Sequence, residues 1–234
     1  MKPLLLGHVA VVLRGQAVPF GDRPGTRSAI AKQAATSAVR VEATGLQGDE
    51  QGDPRIHGGP DKAVHQYPLD HYAAWRSELG ALPPLAQAGA FGENISSTGM
   101  TEADLCWSDR VRMGSVLLEV TQTRQPCWKL NTRFGLADMA LRLQRTGRTG
   151  WYYRVLEPGT VQAGDAITLV ARPYPAWPLS RVIEVLYHRT LDAAQLRELA
   201  QLPLPPSWQK LVARRLEHGT VEDWIQRTQG PARD

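Results

Sequence analysis

The sequence predicts a mainly β protein with helices, of α+β class: a β-barrel-like domain over residues 1–172 and a small three-helix domain over residues 179–234. Three observations predict it. Up to about residue 170, short apolar runs alternate with Gly and Pro turns, as in barrels and sandwiches. Pro173, Pro175 and Pro178 then fall close together, a composition that makes a stiff extended linker over 173–178. Beyond them, apolar residues recur at helical spacing to the end.

The elements follow in order. "HVAVVLRG" is a Val-rich run that reads as the first strand. The opening "MKPLLLGHVAVVLRG" superficially resembles a signal peptide, but it carries a single lysine, a histidine within the apolar run and no small-x-small cleavage site. "SAVRVEATG" alternates, with Val39 and Val41 on one face. "PLDHYAAWRSELG" reads as a helix with Pro68 in its first turn and Gly80 as its stop. Leu69, Tyr72, the stem of Arg76 and Leu79 share one side of it.

"RVRMGSVLLEVTQT" reads as two strands meeting near Gly114. Val116, Leu118 and Val120 point one way; Leu117, Glu119 and Thr121 point the other. "GLADMALRLQRTG" places Leu136, Met139, Ala140 and Leu143 at helical spacing and stops at Gly147. "WYYRVLEPGTVQAGDAITLV" reads as further strands, punctuated at Pro158-Gly159 and Gly164-Asp165. In the tail, "SRVIEVLYHR" is one helix, and "LDAAQLRELAQL" is a second with Asp192 as its N-cap. "SWQKLVARRLEHG" is a third, begun by Ser207 and stopped by Gly219, before a short terminal piece, "TVEDWIQRTQ". Helices this short are marginal alone, so they must pack on one another or on the main domain. Trp208 and Trp224 read as packing residues.

Composition narrows the function. Basic residues number 27 against 23 acidic, a formal charge of +4 and a weak argument for a polyanionic partner. Only five of the basic residues are lysines. Arginine forks bind phosphate and carboxylate, although a codon bias would give the same excess. No basic-aromatic stripe sits on a recognisable nucleic-acid module. No stretch has the ~18 consecutive apolar residues of a membrane helix. Cys106 and Cys127 are the two cysteines, too few for a disulfide scaffold, and they fit a reducing, cytoplasmic setting. There is no P-loop, GxGxxG or GxSxG motif.

Three segments stand out. Gly45–Asp61 packs five glycines and three aspartates into seventeen residues, with His57 directly before Gly58-Gly59-Pro60. A structureless loop of that length in a compact domain is often functional. His65 follows in what reads as a strand. His57, His65 and His71 lack the spacing of a zinc site, and Asp49, Gln51 and Asp53 resemble only the start of a calcium loop. "GAFGENISSTGM" places Glu93-Asn94 in a turn before a strand, where a carboxylate beside a thiol or an anion can relay protons. "RQPCWKLNTRFG" sets Cys127 between Pro126 and Trp128, with Arg124 and Lys129 close by. A thiol must be deprotonated to bind metal, a state that neighbouring cations favour.

Taken together, "GDEQGDPRIHGGPDKAVHQYPLDHY", "GAFGENISSTGMTEADLCWSDRVRMGSVLLEVTQTRQPCWKLN" and "TGRTGWYYRVLEPG" resemble the MOSC domain, in its YiiM-like branch. The helical tail resembles the three-helix domain that follows MOSC in that branch. The combination of H-G-G-P-D, F-G-E-N and R-x-P-C in order is specific.

The resemblance implies a β-barrel-centred fold with Cys127 at a pocket and binding of molybdenum cofactor, in which a pterin dithiolene with a phosphate tail holds the metal. It implies reductive detoxification of N-hydroxylated compounds, such as N-hydroxylated purine base analogues. Cys127 aligns with the metal-binding cysteine. His57 and Glu93 are the expected proton-delivering residues beside it. Gly58, Gly59, Asn94, Arg124, Lys129 and Asn131 are the expected cofactor-binding residues, and Trp128 is open between pterin contact and core. Cys106 carries no role. Electrons must come from a separate reductase, because the chain has no flavin, haem or iron–sulfur motif. Two other readings stay open: a non-catalytic cofactor or persulfide carrier using the same thiol, and a hydrolase with a Cys127–His57 pair. The tail is expected to recognise the electron donor, to cap the pocket or to form a homodimer surface.

Overall fold

The computed structural model describes residues 4–21, 24–53 and 58–230. Strand β1 runs from Leu4 to Arg14, followed by the short strands β2 (Val18–Pro19), β3 (Arg27–Ser28), β4 (Gln33–Ala34), β5 (Val39–Glu42) and β6 (Gly45–Leu46). Then come β7 (Val64–Pro68), helix α1 (Tyr72–Leu79), β8 (Ile95–Thr98), β9 (Arg110–Met113) and β10 (Val116–Thr123). Helices α2 (Lys129–Phe134) and α3 (Met139–Thr146) precede β11 (Trp151–Glu157), β12 (Gly159–Val161) and β13 (Ala166–Ala171). The tail holds α4 (Leu179–Tyr187), α5 (Ala193–Leu199), α6 (Pro206–His218) and α7 (Ile225–Gln229).

Seven strands close into a mixed barrel in the order β13-β9-β10-β11-β7-β8-β1, with β1 pairing back onto β13. Closure removes the exposed sheet edges that would otherwise invite pairing with other chains. Every junction is antiparallel except β7–β8, where Gln66 faces Ile95. A parallel junction needs a long crossover, and α1 with the loop to Asn94 supplies it. The opening run is thus a barrel strand, as read from its valines. The apolar set on β10 is buried, and Leu117 on the other face is buried as well, because the barrel wall is covered from outside.

Helix α1 starts one turn later than Pro68 implies: Pro68 ends β7, and a 3-10 turn spans Leu69–His71. Its buried face presents Tyr72 and Trp75 to a second core with Tyr67, Phe91, Leu130 and Phe134. Gly147 and Gly219 end α3 and α6 in the left-handed conformation, where glycine meets no Cβ penalty. Asp192 caps α5 by accepting from the N–H groups of Ala194 and Gln195. Helix α6 begins at Pro206.

The tail packs directly on the barrel. Trp208 is buried against Trp107, with ring centroids 5.7 Å apart, and Trp224 is buried against Tyr187. One apolar cluster runs from the barrel strands through α4, α5 and α6. The Pro173–Pro178 segment, expected as an extended linker, is tied to the barrel at its end: Trp107 N–H donates to Trp177 O (2.9 Å) and Leu179 N–H to Leu105 O (2.8 Å). Buried Arg215 on α6 donates to the Val185 and Leu186 carbonyls that end α4 and pairs with Glu222. No helix among the described residues is long and apolar enough to cross a membrane.

Candidate functional site

The end of β10 leads into the Cys127 segment. Arg124 N–H donates to Gly150 O (3.0 Å), which holds the strand end against the start of β11. One residue earlier, the Thr123 hydroxyl lies 2.6 Å from the Tyr187 hydroxyl of α4. The chain then turns at Pro126, and the Cys127 carbonyl accepts from Leu130 N–H (3.0 Å) as α2 begins. That helix was not evident in the sequence, since it spans only Lys129–Phe134. Cys127 is left half-buried, facing a cleft that is partly open to solvent.

His65 of β7 and Tyr152 of β11 form one wall, with ring centroids 4.9 Å apart. Asn94 braces it: its Oδ1 accepts from His65 N–H (3.1 Å), and its Nδ2 donates to Asp49 Oδ2 (2.8 Å). Asp49 in turn receives Gly15 N–H (2.8 Å) and the ammonium of buried Lys32. Lys129 reaches across to Arg27 O (2.7 Å). Among the described residues, Lys32, Lys62, Arg124 and Lys129 line the cleft against Asp49 and Glu50. Four cations against two carboxylates leave the lining net positive.

Burial, and next the Arg124 charge, hold the His65 pKa well below the ordinary range, so its ring is neutral. Burial lowers Lys32 against the opposing pull of Asp49. Burial raises Tyr152, against the stabilising charge of Arg124. Arg124 Nη1 is buried in this wall and has no hydrogen-bond partner among the described residues, an exception to the rule that buried donors are nearly always paired.

The structure brings Cys127, Arg124, Lys129 and Asn94 together on the cleft. Glu93 does not line it. Its carboxylate is fully buried and accepts from the Tyr72 hydroxyl (3.0 Å), Gly89 N–H (2.8 Å), Phe91 N–H (3.0 Å) and the Ser96 hydroxyl (2.8 Å). Asn131 also points elsewhere, donating to Ala137 O and Thr228 O (2.8 Å each) and accepting from Ala140 N–H (2.8 Å). Gly58 and Gly59 lie outside the described lining; Gly59 has φ 95° and leads the Pro60–Lys62 turn. His57 lies outside the described residues. Trp128 is half-buried and gives its N–H to Arg227 O. Lys32, Lys62 and Tyr152 carried no sequence signal. His65 stood out only as a histidine in a strand.

Comparison with known proteins agrees with this architecture. Residues 53–168 match the MOSC domain, and residues 177–219 match the YiiM-like 3-alpha helix domain. Protein YiiM of Escherichia coli (strain K12) is 38% identical over 207 residues, 88% of this chain and 92% of that one. A protein of Gibberella moniliformis named Reductase is 43% identical over 190 residues, covering 81% of this chain but 34% of its own length. The crystal structure of YiiM from Escherichia coli superposes with a TM-score of 0.78 at 31% identity, covering 95% of this chain and 99% of that one. The chain belongs to the MOSC family, in its YiiM-like branch.

Proposed function

We propose that this YiiM-like MOSC protein holds molybdenum cofactor in the cleft through Cys127 and reduces N-hydroxylated small molecules, with electrons from a separate reductase. One observation carries the reading: a half-exposed thiol shares a cleft with Arg124 Nη1, a buried guanidinium nitrogen without a partner. A thiolate is a soft ligand suited to a thiophilic metal. An unsatisfied buried donor is a cost that an anionic ligand relieves. Molybdenum cofactor offers both a thiophilic centre and a phosphate, so the residues present fit it. The relative named Reductase supports an enzyme over a carrier.

Bound there, the cofactor would supply the electron pair that breaks an N–O bond. The balance is two electrons and two protons consumed, an amine formed and water released. Cys127 is the protein ligand in this reading. Arg124 and Lys129 neutralise the anionic groups. His57 keeps its proposed proton-delivering role on the family resemblance. Glu93 becomes a positioning residue: it holds the Gly89–Phe91 turn, to which Arg133 of α2 donates through Ala90 O (2.7 Å) and Gly89 O (2.8 Å). That contact joins the Glu93 loop to the helix beginning just after Cys127.

The test is molybdenum content and N-hydroxylated purine reduction, measured on protein from a host that makes the cofactor. Cys127→Ser is expected to lose metal and turnover together. Full metal occupancy and turnover in that variant would sink the ligand assignment.

A further inference from the structure

Cys127 hangs between two points that the helical tail holds. Upstream, the Tyr187 hydroxyl of α4 donates to Thr123 O (3.1 Å) and meets the Thr123 hydroxyl at 2.6 Å. Downstream, Trp128 N–H donates to Arg227 O (2.7 Å) and Asn131 Nδ2 to Thr228 O (2.8 Å). Arg124 N–H still reaches the barrel at Gly150 O, but no hydrogen bond among the described residues ties the backbone of Gln125, Pro126 or Cys127 to a barrel strand. The two holds belong to one unit. Tyr187 and Trp224 are both buried, and Trp224, which begins α7, packs edge-on against the Tyr187 ring with centroids 5.7 Å apart. The downstream hold has a simple cause. A helix leaves its first N–H groups and its last carbonyls without partners of its own. Trp128 is the N-cap of α2, and Arg227 and Thr228 lie in the last turn of α7. Each helix end takes what the other lacks. Asn131 also donates to Ala137 O and accepts from Ala140 N–H, so its side chain joins α2, α3 and α7.

We propose that the helical tail positions Cys127, with Tyr187 and Asn131 as positioning residues on either side of the thiol. Neither touches a ligand in this reading; each fixes the segment that presents the thiol to the cleft. The tail is then part of the site and not only a cap. The inference rests on the proposed function for one point, that the thiol so held meets a metal.

The experiment alkylates full-length protein, made in a host that lacks the cofactor, with iodoacetamide at one fixed pH. Mass spectrometry reads the two cysteines separately. Cys106 is buried and reports any global opening in the same sample. Tyr187→Phe keeps the ring and removes the hydroxyl; Asn131→Ala removes the bond to α7. Each is expected to raise the Cys127 rate about fivefold, the worth of one hydrogen bond in a local opening, while Cys106 stays protected. Leu199→Ala, which leaves a cavity in buried α5 packing, is the control for lost stability and is expected to leave the Cys127 rate unchanged. An unchanged Cys127 rate in either test variant overturns the role of that residue. A rise shared by Leu199→Ala or by Cys106 overturns the proposal, since it reports general loosening and not position. Should the test variants fail to fold, amide exchange in the native chain replaces them. The Trp128 amide is expected to match the protection of the Thr228 amide within α7, because one docking event holds both. A freely exchanging Trp128 amide overturns the proposal. In a host that makes the cofactor, both test variants are expected to carry less molybdenum than wild type. A wild type without molybdenum removes the proposed function and leaves the alkylation difference standing.

Discussion

Two buried polar clusters, one in the cleft wall and one beside it, are finished differently. Around Glu93, every visible demand is met: one carboxylate takes four donors, and the turn it organises receives Arg133. Around Arg124, one side-chain nitrogen is left without a partner among the described residues. A satisfied buried charge makes a rigid local structure, while an unsatisfied one is a standing cost. The difference separates a fully paired buried group from one that still has bonding capacity to offer. The F-G-E-N and R-x-P-C motifs looked equivalent in sequence, yet Glu93 of the first is fully paired and Arg124 of the second is not.

The comparison can be broken most directly at Glu93. Glu93→Ala strands the Tyr72 and Ser96 hydroxyls and two backbone N–H groups in the core, and should cost about 3 kcal/mol or more. Chemical denaturation measures it. A loss within experimental error would mean that the loop is held by packing alone.

Arg124→Met should behave in the opposite way. It removes a cation whose burial is only partly repaid, so stability should change by less than about 1 kcal/mol in either direction. Phosphate affinity and molybdenum content should each fall about tenfold or more. A variant as unstable as Glu93→Ala would place Arg124 with the structural cluster instead.

The smallest effect concerns His65. Its native pKa is depressed by burial and then by Arg124, while the unfolded chain keeps about 6.5. Below that pH the unfolded state binds the proton first, so stability falls as pH falls from about 6.5 toward the depressed native value. Above 6.5 the ring is neutral in both states and contributes no slope. Wild type should therefore lose stability relative to His65→Gln by at most about 1.4 kcal/mol per pH unit in that window. Parallel curves from pH 7 to 5 would show that the ring is not held neutral.

Much of the architecture was legible before any coordinates. Val39 and Val41, the Gly114 hairpin, the Asp192 cap and the Gly147 and Gly219 stops are local signals, each set by backbone chemistry within a few residues. Helix α2 was missed because six residues carry too little periodicity to register. The start of α1 was misplaced because Pro68 serves a strand end as well as it serves a first helical turn. Cys127, Arg124, Lys129 and Asn94 were legible as site residues because they lie within motifs. Glu93 and Asn131 were legible as important but not as structural, since a motif records that a residue is needed and not where its side chain points.

The sequence by itself determined the fold class and the family, and it singled out a candidate thiol, because these follow from short-range patterns and from motifs in order. Only the tertiary structure decided which charges meet. Lys32, Lys62 and Tyr152 come from three distant segments and have no spacing relation to Cys127. Barrel closure brings them to one cleft, and no local rule of sequence encodes a distance set by the packing of the whole chain.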